Sequence, residues 1–138
     1  MKLNFEKIYP YLFGVLACAI WWYMDGIFPT ENAIISSTLT VAGIFVGFLA
    51  TSKAILISMD SPLITELRKS GYINELVAYI GHAIWLNLTF CVIGVIGYFS
   101  FQAAQWYAIL WIGFSVSSLA AFIRVTRIML KIFKHNHQ

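Results

Sequence analysis

The chain has 138 residues, of which 60% are hydrophobic and 11% charged, with a mean hydropathy of +0.79 and a net charge of +3. A water-soluble domain usually has about 25% charged residues, so this composition excludes a soluble globule. Four apolar stretches, at 8–24, 33–59, 79–100 and 104–123, are each near or above the roughly 20 residues that a helix needs to cross about 30 Å of hydrocarbon. They predict an all-α, polytopic membrane protein with four transmembrane helices in a single domain, 1–138.

The first stretch follows Lys2 and Lys7 and contains "VLAC", a loose lipoprotein-like box ending at Cys18. The apolar part before Cys18 is short and "AIWWYM" continues it, which favours a first transmembrane helix over a secretion signal. Cys18 and Cys91 both fall mid-span. Redox or zinc chemistry would need a vicinal pair or clustered Cys and His, so both are expected as small, soft core residues.

The second stretch spans about 40 Å as a helix, longer than a bilayer requires. The segment 60–72, "DSPLITELRKSG" with the following Tyr72, predicts a short amphipathic helix capped by Ser61, started by Pro62 and ended by Gly71. Leu63, Ile64 and Leu67 form its apolar face, opposite Glu66, Arg68 and Lys69. It is expected on the membrane surface or against the helix extensions. The third helix is expected to begin near Ile73 and the fourth to continue to Phe133, so helices 2–4 extend past the bilayer on the cytoplasmic side.

With four spans, the termini and the middle loop share one side. That side holds Lys2, Lys7, Lys53, Arg68, Lys69, Arg124, Arg127, Lys131 and Lys134, all nine basic residues of the chain. The loops "DGIFPTEN" and "SFQAAQ" hold none. The excess of Lys and Arg in cytoplasmic loops predicts that both termini are cytoplasmic. Trp21, Trp22, Tyr23, Tyr98, Trp106 and Tyr107 would form the outer aromatic belt.

Lys53 stands about 20 residues into the second helix. It is expected at the cytoplasmic boundary, its stem snorkelling to the headgroups; a charge facing a pore, Asp60 or Glu66 is the alternative. Ser36, Thr40, Gly43, Gly47, Ala50 and Ala54 form a stripe of small residues spaced 4, 3, 4, 3, 4. Such residues let helices approach closely in lipid, either within the chain or between copies of it, where they would seal a core or line a pore. A second seam, Gly113, Ser117, Ala120, Arg124, Arg127, Lys131 and Lys134, begins small and ends basic. Its charged part suits anionic phospholipid or an acidic cytosolic protein, and it lacks the interleaved aromatics of a nucleic-acid surface.

Asn87 is expected to bond across a helix interface, with a conduction site as the alternative, and His82 to sit at the cytoplasmic interface. No span has a central Asp or Glu, which ranks an ion-coupled transporter low. No phosphate loop, H-E-x-x-H or Ser/His/Asp set appears, so neither an enzyme, a cofactor nor a metal site has support.

"FVGFLATSKAILISM" and "LRKSGYINELVAYIGHAIW" (45–59 and 67–85) together resemble a pattern in small four-helix membrane proteins of bacterial defence operons. There, a glycine-bearing second helix ends in an apolar run and a basic linker ending in "SGY" leads into the third. The resemblance is greatest to the membrane subunits of Kiwa-type antiphage systems. It implies a homo-oligomeric inner-membrane protein that senses or perturbs the membrane with a cytosolic partner. A small channel or holin-like pore acting alone is the second reading.

Overall fold

The computed structural model describes residues 2–28, 31–101 and 104–135. Pro29, Thr30, Gln102 and Ala103 and the end of the "HNHQ" tail lie outside the described residues. Five α-helices follow in order: α1 Lys2–Met24, α2 Asn32–Ser58, α3 Pro62–Lys69, α4 Tyr72–Ile96 and α5 Gln105–His135, with a π-helical turn, Gly97–Phe101, after α4. No strand occurs among the described residues.

Helices α2, α4 and α5 are each long and apolar enough to cross a membrane, and the apolar part of α1, Ile8–Met24, is shorter. The fourth crossing expected from the sequence, in α1, is not among these three. Large side chains such as Leu16, Ile20, Ile44, Trp85, Val92 and Leu110 face outward. In water, so extensive an apolar surface would associate without limit; against lipid tails it carries no penalty.

The helices pack as a row rather than a closed ring. α1 lies on α5, α5 on α4 and α4 on α2, while α2 touches α5 only slightly. Neighbours in the row run antiparallel. Along α1 and α5, Pro10 shares a cavity with Arg124, Cys18 meets Ile109, and the turn after α1 brings Phe28 edge-on to Tyr107 at 5.7 Å. Asp25 reverses the chain there with a φ of 44°, a left-handed conformation that Asp tolerates better than most residues.

Two apolar clusters hold the row. The larger one, at the end that carries α3, joins Leu49 and Leu56 of α2, Ile64 of α3, Ile73, Leu76 and Ile80 of α4, and Val125, Met129 and Ile132 of α5. The smaller one, at the opposite end, centres on Phe28, Tyr107 and Ala108. Tyr107 donates its hydroxyl to the Ile93 carbonyl at 3.0 Å and occupies the space that a side chain at Gly97 would need. That crowding falls where α4 widens into the π turn.

The linker helix forms as its sequence dictates. Ser61 accepts from the Ile64 amide at 3.2 Å, Pro62 opens the first turn, and Gly71 follows the last turn with a φ of 78°. Ile64 is buried and Leu67 packs on the larger cluster, so the apolar face is turned onto the core formed with α2, α4 and α5. Glu66, Arg68 and Lys69 are exposed; the side chain of Leu63 lies outside the described set.

Candidate functional site

Three surfaces carry the residues singled out by the sequence. The first is the small stripe of α2. The residues this helix buries recur every seven positions, Ile35, Ala42, Leu49 and Leu56, joined by Ser52. Three of them are bulky, and they select the face that meets α4. Ser36, Thr40, Gly43, Gly47, Ala50 and Ala54 are left on exposed faces. A Cβ added at Gly43 or Gly47 would meet no atom within 4 Å. Of the two alternatives for the stripe, packing within the chain is not seen among the described residues, where the large residues of α2 take the face that meets α4.

The close contact of the chain lies elsewhere, between α1 and α5. A Cβ on Gly14 would collide with the Ser117 hydroxyl and stand 2.9 Å from the Gly113 carbonyl oxygen; one on Gly113 would stand 2.5 Å from Cys18 Sγ. Gly14 and Cys18 on one helix thus interlock with Gly113 and Ser117 on the other, each pair four residues apart. The small half of the α5 seam, Gly113, Ser117 and Ala120, is buried in this way. The four-residue pairing of Gly14 with Cys18 in the first apolar stretch was the available sequence signal for it.

The second surface is the basic face at the α3 end. Arg127, Lys131 and Lys134 are exposed along α5. Arg124 is half-buried, its guanidinium 4.5 Å from the Tyr79 ring centroid, a cation–π contact. Exposed His82 borders the same cavity of about 180 Å³, together with Pro10 and Tyr11. Arg68 donates to the Ile57 carbonyl at 3.4 Å, near the end of α2, and Lys69 stands free of the core on α3. Lys53 is half-buried on α2, its Nζ 4.0 Å from where a Cβ of Gly81 would stand, so the missing side chain leaves room for the ammonium beside α4.

The third surface was not foreseen. α2 reaches α5 through Phe45, stacked on Phe122 at 4.0 Å and 8°, and through Phe48, edge-on to the same ring. On the side of this contact away from α3, the helices part around a crevice of about 240 Å³ between α2, α4 and α5. Asn87 lies in its wall, fully buried. Its Nδ2 donates at 2.9 Å to the Ala83 carbonyl of its own helix, so the cross-helix bond expected for it does not form. A short amide side chain reaches the carbonyl one turn back with ease. That bond fixes the amide orientation, and Oδ1 has no hydrogen-bond partner among the described residues. A buried acceptor left in this state costs about 1–3 kcal/mol.

The described residues contain no group of three or more His, Cys, Asp or Glu placed to hold a metal ion. The class of protein that the fold defines is an all-helical chain with three helices able to span a membrane. Comparison with family models, with curated proteins and with solved structures finds no match to the chain.

Proposed function

We propose that this chain is a homo-oligomeric protein of the bacterial inner membrane that works in antiphage defence, sensing or perturbing the membrane together with a cytosolic partner. The observation that carries the oligomer is the open stripe of α2. From Ser36 to Ala54 it runs about 27 Å, nearly the thickness of the hydrocarbon, and none of the described residues covers Gly43 or Gly47. Between helices in lipid the hydrophobic effect is absent and close backbone contact drives association. A second copy meets that need. The defence role rests on the resemblance of 45–59 and 67–85 to the Kiwa-type membrane subunits.

Four spans with both termini cytoplasmic fit the packing of α1. It lies antiparallel on α5 from Arg124 to Tyr107, so whatever thickness of membrane α5 crosses there, α1 crosses beside it. Arg124 is about 28 Å along α5 from Gln105, and Lys53 about 32 Å along α2 from Asn32. Both therefore stand at one inner boundary. Beyond it, α3 and the ends of α2, α4 and α5 enclose a core of their own, and the exposed Arg127, Lys131 and Lys134 form the face that meets anionic phospholipid or the cytosolic partner.

A stand-alone pore is the second reading, favoured by the exposed hydroxyl residues Ser36 and Thr40 on the stripe. Thr40 already donates to the Ser36 carbonyl at 2.9 Å, and the stripe from Gly43 to Ala54 offers no polar side chain, which suits a sealed contact better than a water-filled one. Phage plating on bacteria that produce the chain with its neighbour-encoded partner tests the main reading. Protection lost with Gly43→Leu/Gly47→Leu and with neutralised Arg127, Lys131 and Lys134 is expected; protection retained by both variants would contradict it. Conductance from purified protein in planar bilayers would favour the pore.

A further inference from the structure

We propose that the crevice between α2, α4 and α5 is a binding site for a neutral amphiphile bearing a hydroxyl group, with Asn87 Oδ1 as the acceptor of its hydrogen bond. The site rests on the membrane reading above but not on the oligomer or on defence.

The chemistry of the walls selects the ligand. Ser37 donates to the Ala33 carbonyl at 2.8 Å, Thr38 to the Ile34 carbonyl at 2.9 Å, and Ser118 to the Leu86 carbonyl at 3.2 Å. Their protons are committed to backbone, so what these hydroxyls turn to the crevice is lone pairs. Asn87 adds a fully buried amide oxygen with no partner among the described residues, while its Nδ2 donates one proton to the Ala83 carbonyl. Only Ser115 contributes a hydroxyl with no such bond, and no charged residue lines the space. An anion would face acceptors and a cation would lack a carboxylate; a neutral donor fits both facts.

The remaining wall is apolar, including Val41, Phe45, Phe90 and Leu119. An apolar cavity of about 150 Å³ holds benzene, so about 240 Å³ admits the hydroxyl end of an alcohol with several carbons behind it. Val41 and Leu119 are exposed at the rim. A longer chain would leave there, directly among the acyl tails. Water is the competing occupant, but it would leave the apolar wall unfilled.

Photolabelling in proteoliposomes tests the site, with a diazirine-bearing octanol and its methyl ether, which lacks the donor. The expected result is saturable labelling by the alcohol of peptides containing 37–45 and 115–119, displaced by plain octanol. The ether should label about tenfold less, the factor that a single hydrogen bond supports. Asn87→Leu should reduce the alcohol to the level of the ether, and Ala42→Leu, which adds volume at the crevice wall, should abolish labelling by both. Equal labelling by alcohol and ether would overturn the role of Asn87. Labelling spread evenly over the lipid-facing residues, or unchanged in Ala42→Leu, would overturn the site itself. Oligomer mass is read on the same samples, so loss of assembly is distinguished from loss of binding.

Discussion

Gly14 and Cys18 of α1 stand four residues apart, as do Gly43 and Gly47 of α2, yet only the first pair is covered by another helix of the chain. The difference lies in what surrounds each pair. α1 offers α5 a face on which Gly113 and Ser117 complete the interlock, and its larger side chains point away, as Leu12, Val15 and Leu16 do. α2 has a better face to offer than its small one: Ile35, Leu49 and Leu56, each fully buried, fill the space beside α4. Small-residue spacing therefore marks a surface on which close approach is favourable. Which partner makes the approach depends on the large residues of the same helix.

The contrast is broken most sharply at Gly14. Gly14→Leu would force a branched side chain against the Ser117 side chain and the Gly113 backbone, the latter unable to give way by a rotamer change, and overpacking of this kind costs about 1–3 kcal/mol. Thermal unfolding in detergent should show the loss, and it should fall at the upper end of that range. Gly113→Ala should cost less, about 1 kcal/mol, since the added methyl meets the Cys18 sulfur rather than backbone; Gly113→Ala combined with Cys18→Ala should recover most of it.

Gly81→Ala is the control where α4 faces Lys53 of α2. Its Cβ would rest in ordinary contact, 4.0 Å from Lys53 Nζ, and relief of the glycine's backbone freedom should leave stability unchanged or raised by about 0.5–1 kcal/mol. A loss there would mean that α2 and α4 approach more closely at this point than Gly81 and Lys53 indicate.

The helices and the linker were legible in the sequence because local rules determine them. Hydropathy placed α2 to within one residue of each end, the expected start near Ile73 and continuation to Phe133 placed α4 and α5 where the apolar stretches alone fell short, and Ser61, Pro62 and Gly71 marked α3 and its boundaries. The partners of each helix were not legible. Nothing in the spacing of Gly43 and Gly47 tells which helix they meet, and the row order α1–α5–α4–α2 emerges only when side-chain volumes compete for the same faces. Asn87 stands out in the sequence as a polar residue in an apolar stretch, but its bond to Ala83 is local, and the crevice beside it lies where α2 and α5 part beyond the contact of Phe45 and Phe48 with Phe122. A gap between helices leaves no periodic trace in any one of them.

The account stands or falls on what covers the α2 stripe. Mass measurement of the intact protein in native nanodiscs, for wild type and for Gly43→Leu/Gly47→Leu, addresses it directly. Wild type should appear as a multiple of the 15.6 kDa chain, and the variant as a folded single chain with unfolding temperature no lower than wild type. A wild-type protein that is a single chain throughout would contradict the account, leaving the stripe to face lipid.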